Sequence, residues 1–193
     1  MLNNKEFDNI KREIDTYEKG REELVRKSRD IVRTSKLIVY AVHRNDLNNA
    51  KKLIIEIENK KESMEKLAKN DPKLRYSELF ILGIQEYIEA KCYYEFVKNK
   101  KIPTRNSLKA DTDPYLIGLC DLSGELVRKA VNDIINKDFE NVIEIKNFVE
   151  ELYGKFSEFD IGGGELRKKA DALRWNLNKL EDLVLEANIH GTI

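Results

Sequence analysis

The chain of 193 residues balances 35 Lys plus Arg against 35 Asp plus Glu, so its formal net charge is zero, and its length suits one domain spanning 1–193. Nine glycines, three prolines and 36% charged residues suit long helices and poorly suit a sandwich or barrel, which makes the expected fold class all-α. The longest uncharged runs, such as Leu37 to His43 and Leu79 to Gln85, are seven residues, far short of the roughly 20 that span a bilayer, and Lys5, Glu6 and Asp8 replace the apolar core of a secretory signal, so a cytoplasmic protein is expected.

From Phe7 an apolar stripe recurs at Ile10, Ile14, Tyr17, Leu24, Ile31, Ile38 and Val42, with polar interruptions at Arg21, Ser28 and Ser35. Steps of three and four predict one long helix with a buried seam, which Gly20 could interrupt. Asn45 and Asp46 offer a cap, and the seam restarts at Leu47, Ala50, Ile54, Ile57, Lys61, Met64 and Ala68, ending before Pro72. A third helix, apolar on most sides, runs from about Lys73 to Lys100. Asp113 before Pro114 reads as a cap with proline at the first helical position, opening a helix to about Asn136. A fifth uses Phe139 to Phe156. Gly162 to Gly164 break the pattern, and a sixth carries Leu166, Ala170, Leu173, Leu177, Leu180, Val184 and Ala187 toward Gly191. Cys92 and Cys120 sit inside apolar patterns and read as packed thiols.

Chemistry concentrates in two of these segments. In Pro114 to Val127 the only charges are Asp121 and Glu125, four apart and therefore neighbours on one helix face. Two like charges in apolar surroundings call for a cation: a metal ion, Arg128 three residues on, or a lysine of another helix. Glu86 and Glu89 form a second pair, three apart on the preceding helix. If the two helices face each other, four carboxylates converge, and oxygen-only ligation favours Mg²⁺ or Mn²⁺. An i, i+3 pair also arises by chance in a chain with 35 acids.

On the first helix Arg26, Arg29, Arg33, Lys36, Tyr40 and His43 step by three and four, displaced two positions from the seam. That stripe reads either as a solvated face or as a track for a phosphate backbone with Tyr40 free to stack on a base. Gly162 to Gly164 lack the Gly-Lys-Ser/Thr of a phosphate loop. His43 and His190 are isolated, so no nucleophilic triad can be assembled.

Four blocks in order, LVRKSRDIVRTSKLIVYAVHR (24–44), GIQEYIEA (83–90), PYLIGLCDLSGELVRKA (114–130) and LRKKADALRWNLNKLEDLVLEANIHG (166–191), resemble the translin family, and more closely its translin-associated factor X branch than translin itself. The resemblance implies a bundle of seven helices, one beyond the six counted, from a split of the first at Gly20. It implies a metal-dependent endoribonuclease acting on single-stranded RNA, whose acids match Glu86, Glu89, Asp121 and Glu125. Those four would hold Mg²⁺ or Mn²⁺, a metal-activated water would attack the phosphodiester, and products would carry a 5′-phosphate and a 3′-hydroxyl. Lys36 and Arg29 match basic positions of the family, and Arg128 could neutralise phosphate oxygens. The family associates into closed octamers with RNA inside, so a homo-oligomer is expected. The alternative is a translin-like single-stranded nucleic-acid binder that cuts nothing.

Overall fold

A computed structural model describes residues 2–189, and among them the chain is helical without a strand: α1 (Asn4–His43), α2 (Leu47–Ala68), α3 (Pro72–Arg75), α4 (Glu78–Asn99), α5 (Thr112–Ile135), α6 (Phe139–Ser157) and α7 (Glu165–Ile189). His190 and the stop near Gly191 lie outside the described residues. No described helix is long and apolar enough to cross a membrane.

The layering follows from which faces are apolar. α4 is buried on nearly every side, through residues as varied in position as Phe80, Ile84, Tyr87, Ile88, Tyr93 and Phe96. It lies between α1 and α2 on one side and α5 on the other, and α5 in turn packs on α6 and α7. Helices of one-sided seam, α1, α2 and α7, form the outer layers, as amphipathic patterning requires. Side-chain caps set several starts: Asp46 accepts from Asn49 N at 3.1 Å, and Ser77 and Asp138 accept in the same manner from residues three ahead.

The seventh helix is not a split at Gly20, which lies within an unbroken α1. It is the short α3, released from α4 because Asp71 caps one helix and Ser77, six residues on, caps the next. Gly20 serves packing instead. A Cβ there would stand 2.9 Å from Leu74 Cδ1, so the glycine makes room for α3 against α1. α5 also begins two residues before the expected Pro114, at Thr112. Asp111 takes the cap position without a capping bond, because its carboxylate is paired with Arg75 at 2.9 Å. Pro114 is then the third helical residue, where its missing N–H still has no intrahelical acceptor to lose.

The polar interruptions of the seams have separate fates. Arg21 is exposed, but Ser28 and Ser35 are buried and turned onto α4, Ser28 donating to the Leu79 carbonyl at 2.7 Å. Lys61 is buried too, bound to Glu65 at 2.7 Å and seated 5.4 Å from the centroid of the Tyr87 ring. Both cysteines are buried free thiols, pushed up to about 12 by burial, and serve as packing groups. The α1 seam is fully buried from Leu24 onward and partly covered at Tyr17. At 1.5 Å per residue α1 extends roughly 60 Å, and Phe7 (54% exposed) and Ile14 (56%) protrude along its first half.

Candidate functional site

Four helices meet at the acids. Glu86 and Glu89 stand on the face of α4 that looks toward α1 and α5, and Asp121 and Glu125 stand on α5 opposite them. Gly118 allows this approach: a Cβ there would fall 2.7 Å from Ile88 Cγ2 and 3.1 Å from the Gln85 carbonyl oxygen, so α5 presses on α4 one turn before Asp121.

Each acid is then met differently. Ser35 Oγ of α1 donates to Glu86 Oε2 at 2.8 Å. Lys169 Nζ of α7 donates to Asp121 Oδ1 at 2.5 Å. Glu125 Oε2 lies 2.5 Å from His43 Nε2 and 3.8 Å from Arg128 Nη1. Glu89 has no such partner among the described residues. Burial raises its carboxyl, and Glu86, Asp121 and Glu125 add to the effect, so that it is pushed up to about 8, Lys169 only partly opposing. Lys169 is disfavoured as a cation by burial, yet its pKa is raised on balance by the Asp121 hydrogen bond and charge, helped by Glu165 and Glu89.

Among the described residues no three His, Cys, Asp or Glu side chains are already drawn together as a ligand set. The four acids share a neighbourhood, but Ser35, Lys169 and His43 each draw one carboxylate aside. The crowding on α5 is relieved in the manner left open by the sequence, by a lysine of another helix for Asp121 and by the i+3 arginine for Glu125. Ser35, Lys169 and Tyr93 were not among the sequence-derived candidates. Ser35 could have been found as a polar break in an otherwise apolar seam, whereas Lys169 is one of many lysines and carries no local signal.

A cavity of about 270 Å³ opens on three of the acids, lined by Ser35, Lys36, Val39, Tyr40, Glu86, Glu89, Glu125 and Arg128, while Asp121, bound to Lys169, does not border it. Carboxylates and cations therefore face one space. Lys36 also borders a second groove of about 520 Å³ between α1 and α4, where Arg29 and Arg33 flank an apolar floor including Leu79 and Leu82. Arg26 is 73% exposed and only 4.0 Å from Glu23, away from both spaces. His43 departs from the basic stripe: its side chain turns inward between Glu125 and Tyr93. At the last residue of α1 the ring reaches past the helix to partners on α4 and α5, Tyr93 and Glu125, which the earlier residues of the stripe do not meet.

The sequence profile of the translin family matches residues 19–191. The chain belongs to the translin family. Translin-associated protein X of Rattus norvegicus is 25% identical over 96% of this chain and 78% of its own length, and that of Mus musculus is 24% identical over the same shares. Translin of Gallus gallus is 33% identical, but over 81 residues, 42% of this chain and 35% of its own. Among solved structures, apo-NeC3PO superposes with a TM-score of 0.87 at 30% identity, covering 96% of this chain and 97% of that one. AfC3PO in its complex with duplex RNA superposes with a TM-score of 0.82 at 21% identity, with the same coverage. The seven helices of this translin-family chain are thus the family fold, and likeness to the factor X proteins runs through all four helices that bear the site.

Proposed function

We propose that this chain is a Mg²⁺- or Mn²⁺-dependent endoribonuclease acting on single-stranded RNA, working inside a homo-oligomer, with an octamer as the expected assembly. One observation carries the reading: Glu89 sits half-buried among three further carboxylates without a counter-charge of its own, on a cavity that also presents Lys36 and Arg128. Without a cation the group must take up a proton to stay buried there, and such a carboxyl costs folding free energy that a bound dication would offset.

The donor set fits a hard dication. It offers carboxylate oxygens and the Ser35 hydroxyl, while the thiol of Cys120, next to Asp121, is buried, kept protonated and not part of the cavity lining. Glu86, Glu89, Asp121 and Glu125 are the residues that would hold it. When bound, Mg²⁺ or Mn²⁺ supplies Lewis acidity toward phosphate oxygens and a water acidic enough to attack near neutral pH. For their part Lys36 and Arg128 hold the non-bridging oxygens at the mouth of the cavity, Tyr40 offers a ring for a base, and Arg29 and Arg33 line the groove along which the strand continues. Family membership supports a nucleic-acid ligand, and the exposed apolar residues of early α1, with Trp175 and Leu185 on α7, support self-association.

Lys169 on Asp121 and His43 on Glu125 favour a second reading, a nucleic-acid binder whose α5 acids are satisfied within the protein. Labelled single-stranded RNA with Mn²⁺, then with EDTA, separates the two. The nuclease reading expects fragments ending in 5′-phosphate and 3′-hydroxyl, lost with EDTA and in Glu125→Ala. Binding without cleavage in Mn²⁺ overturns it in favour of the binder, and cyclic-phosphate ends overturn the metal-water chemistry.

A further inference from the structure

The inward turn of His43 has a consequence for Glu125. The His43 side chain is 5% exposed, its Nε2 lies 2.5 Å from Glu125 Oε2, and its Nδ1 lies 3.0 Å from the hydroxyl of Tyr93, which is fully buried. A carboxylate oxygen can only accept, so Nε2 carries the hydrogen. In the neutral ring Nδ1 is then the acceptor, and Tyr93 donates to it. Burial raises the Tyr93 pKa and the Glu125 charge adds to the rise, so the phenol keeps the proton that it donates. Hydrogen bonds therefore run in one direction, from Tyr93 on α4 through His43 on α1 to Glu125 on α5. Arg128 approaches the same oxygen, Oε2. Neither contact falls on Oε1.

We infer that His43 is a positioning residue for Glu125: donating from Nε2 and held at Nδ1 by Tyr93, it pins one carboxylate oxygen and presents the other, in one orientation, to a divalent cation. Glu125 lies one turn from the like charge of Asp121 and would otherwise swing away from it. Partners that orient metal ligands in this way typically change metal affinity or activity by about 10- to 100-fold when removed. The cation in this statement rests on the nuclease reading above, whereas the tautomer and the pinning do not.

The test separates those layers. The chain holds two histidines, so a solid-state ¹⁵N spectrum of the metal-free, histidine-labelled full-length assembly resolves both, and His43→Gln assigns them by difference. The inference expects His43 as the Nε2–H tautomer, kept in Tyr93→Phe by the Glu125 carboxylate but with the Nδ1 resonance shifted as its hydrogen bond is lost. An Nδ1–H tautomer in the wild type overturns it without reference to metal or RNA. Mn²⁺ titration calorimetry on the same proteins reads the second layer. His43→Phe, which keeps a ring but no donor, should weaken Mn²⁺ at least tenfold, and His43→Gln, whose amide can still donate, should recover most of the loss. If His43→Gln is as poor as His43→Phe, His43 acts through packing alone and the inference falls. If His43→Phe fails to fold, Tyr93→Phe carries the affinity measurement, and unchanged Mn²⁺ binding there overturns the role of Tyr93. Wild-type protein that binds no Mn²⁺ but shows the Nε2–H tautomer sinks the nuclease reading, and the ligand role of Glu125 with it, while leaving the pinned Glu125 as a structural fact.

Discussion

The two acid pairs look alike in sequence and differ in the fold. On α5, Asp121 has Lys169 and Glu125 has His43 and Arg128, so its charges are answered from α7, α1 and α5 itself. On α4, Glu86 receives one hydroxyl from Ser35 and Glu89 receives nothing among the described residues, so that its carboxyl is pushed up to about 8 by burial and by the other three acids. The α5 pair can be understood as structure: carboxylates with partners, which folding stability alone would retain. The α4 pair cannot. What separates the two is the presence of a cation within the protein, and the pair that lacks one marks where an external cation is expected.

The sharpest way to break this contrast is Glu89→Gln, which keeps the shape and removes the charge. Mn²⁺ affinity and RNA cleavage should both fall by about 100-fold or more, the upper end of what partners around a metal site cost. Stability should move the opposite way. Because the folded pKa of Glu89 lies above its ordinary value, the folded state binds more protons than the unfolded between pH 4.5 and about 8, so metal-free stability falls as pH rises across that window and is unaffected below it. At pH 8.5 the substitution should therefore stabilise the metal-free protein by about 2–4 kcal/mol, and near pH 4 by almost nothing. Chemical denaturation at the two pH values reads this directly. Equal stability of wild type and variant at pH 8.5 would mean that Glu89 has a partner, and the contrast with α5 disappears.

A second break is mechanical. Gly118→Ala places a methyl group against Ile88 and the Gln85 carbonyl, and overpacking of this kind costs about 1–3 kcal/mol. Since Gly118 and Ile88 flank the two acid pairs, forcing α4 and α5 apart should also weaken Mn²⁺ binding, whereas Gly154→Ala, with nothing within 4 Å, should do neither. A melting shift without loss of Mn²⁺ affinity would show that the helix spacing is not what brings the pairs together.

A third sharpens the contrast from the α5 side. Lys169 is the internal competitor for Asp121, so Lys169→Gln should strengthen Mn²⁺ binding by about tenfold, well inside the ~4 kcal/mol that unit charges 4 Å apart exchange near a protein surface. Its metal-free melting temperature should drop, because Asp121 then repels Glu125 and Glu89 unopposed. Weaker Mn²⁺ binding in this variant would make Lys169 a part of the site rather than a stand-in for its cation.

How much of this was readable without coordinates depends on the range of the interaction. Helix class, the seams, and the two acid pairs are encoded by spacings of three and four, and each is present in the fold: Leu24, Ile31 and Ile38 are buried as the stripe requires, Glu86, Glu89 and Glu125 line one cavity, and Asp121 lies near enough to raise the Glu89 carboxyl. Details decided by competition between neighbours were not readable. Asp111 bonds to Arg75 instead of capping α5 by its side chain, Ser77 starts α4 five residues later than the apolar pattern alone, and His43 leaves the basic stripe for Glu125 and Tyr93 on other helices. Least readable was Lys169. Its meeting with Asp121 spans 48 residues and depends on how α7 crosses α5, which no periodicity within either helix specifies.

The smallest expected effect tests whether the basic face of α1 serves the same strand as the acids. Arg33 borders the apolar groove and makes no ion pair among the described residues, so its charge is available to a phosphate. Arg33→Ala should weaken single-stranded RNA binding several-fold at physiological salt, and the slope of log affinity against log salt should flatten by about 0.7, the contribution of one phosphate contact on a single strand. Arg26, outside both spaces, should show no such change when replaced. Because an arginine that only steers the strand alters binding and leaves turnover of bound RNA intact, single-turnover cleavage at saturating protein should match the wild type. If Arg26→Ala and Arg33→Ala lower the slope equally, the phosphates follow the whole exposed face of α1 instead of the groove, and the path from Lys36 into the acid cavity is not the one that the strand takes.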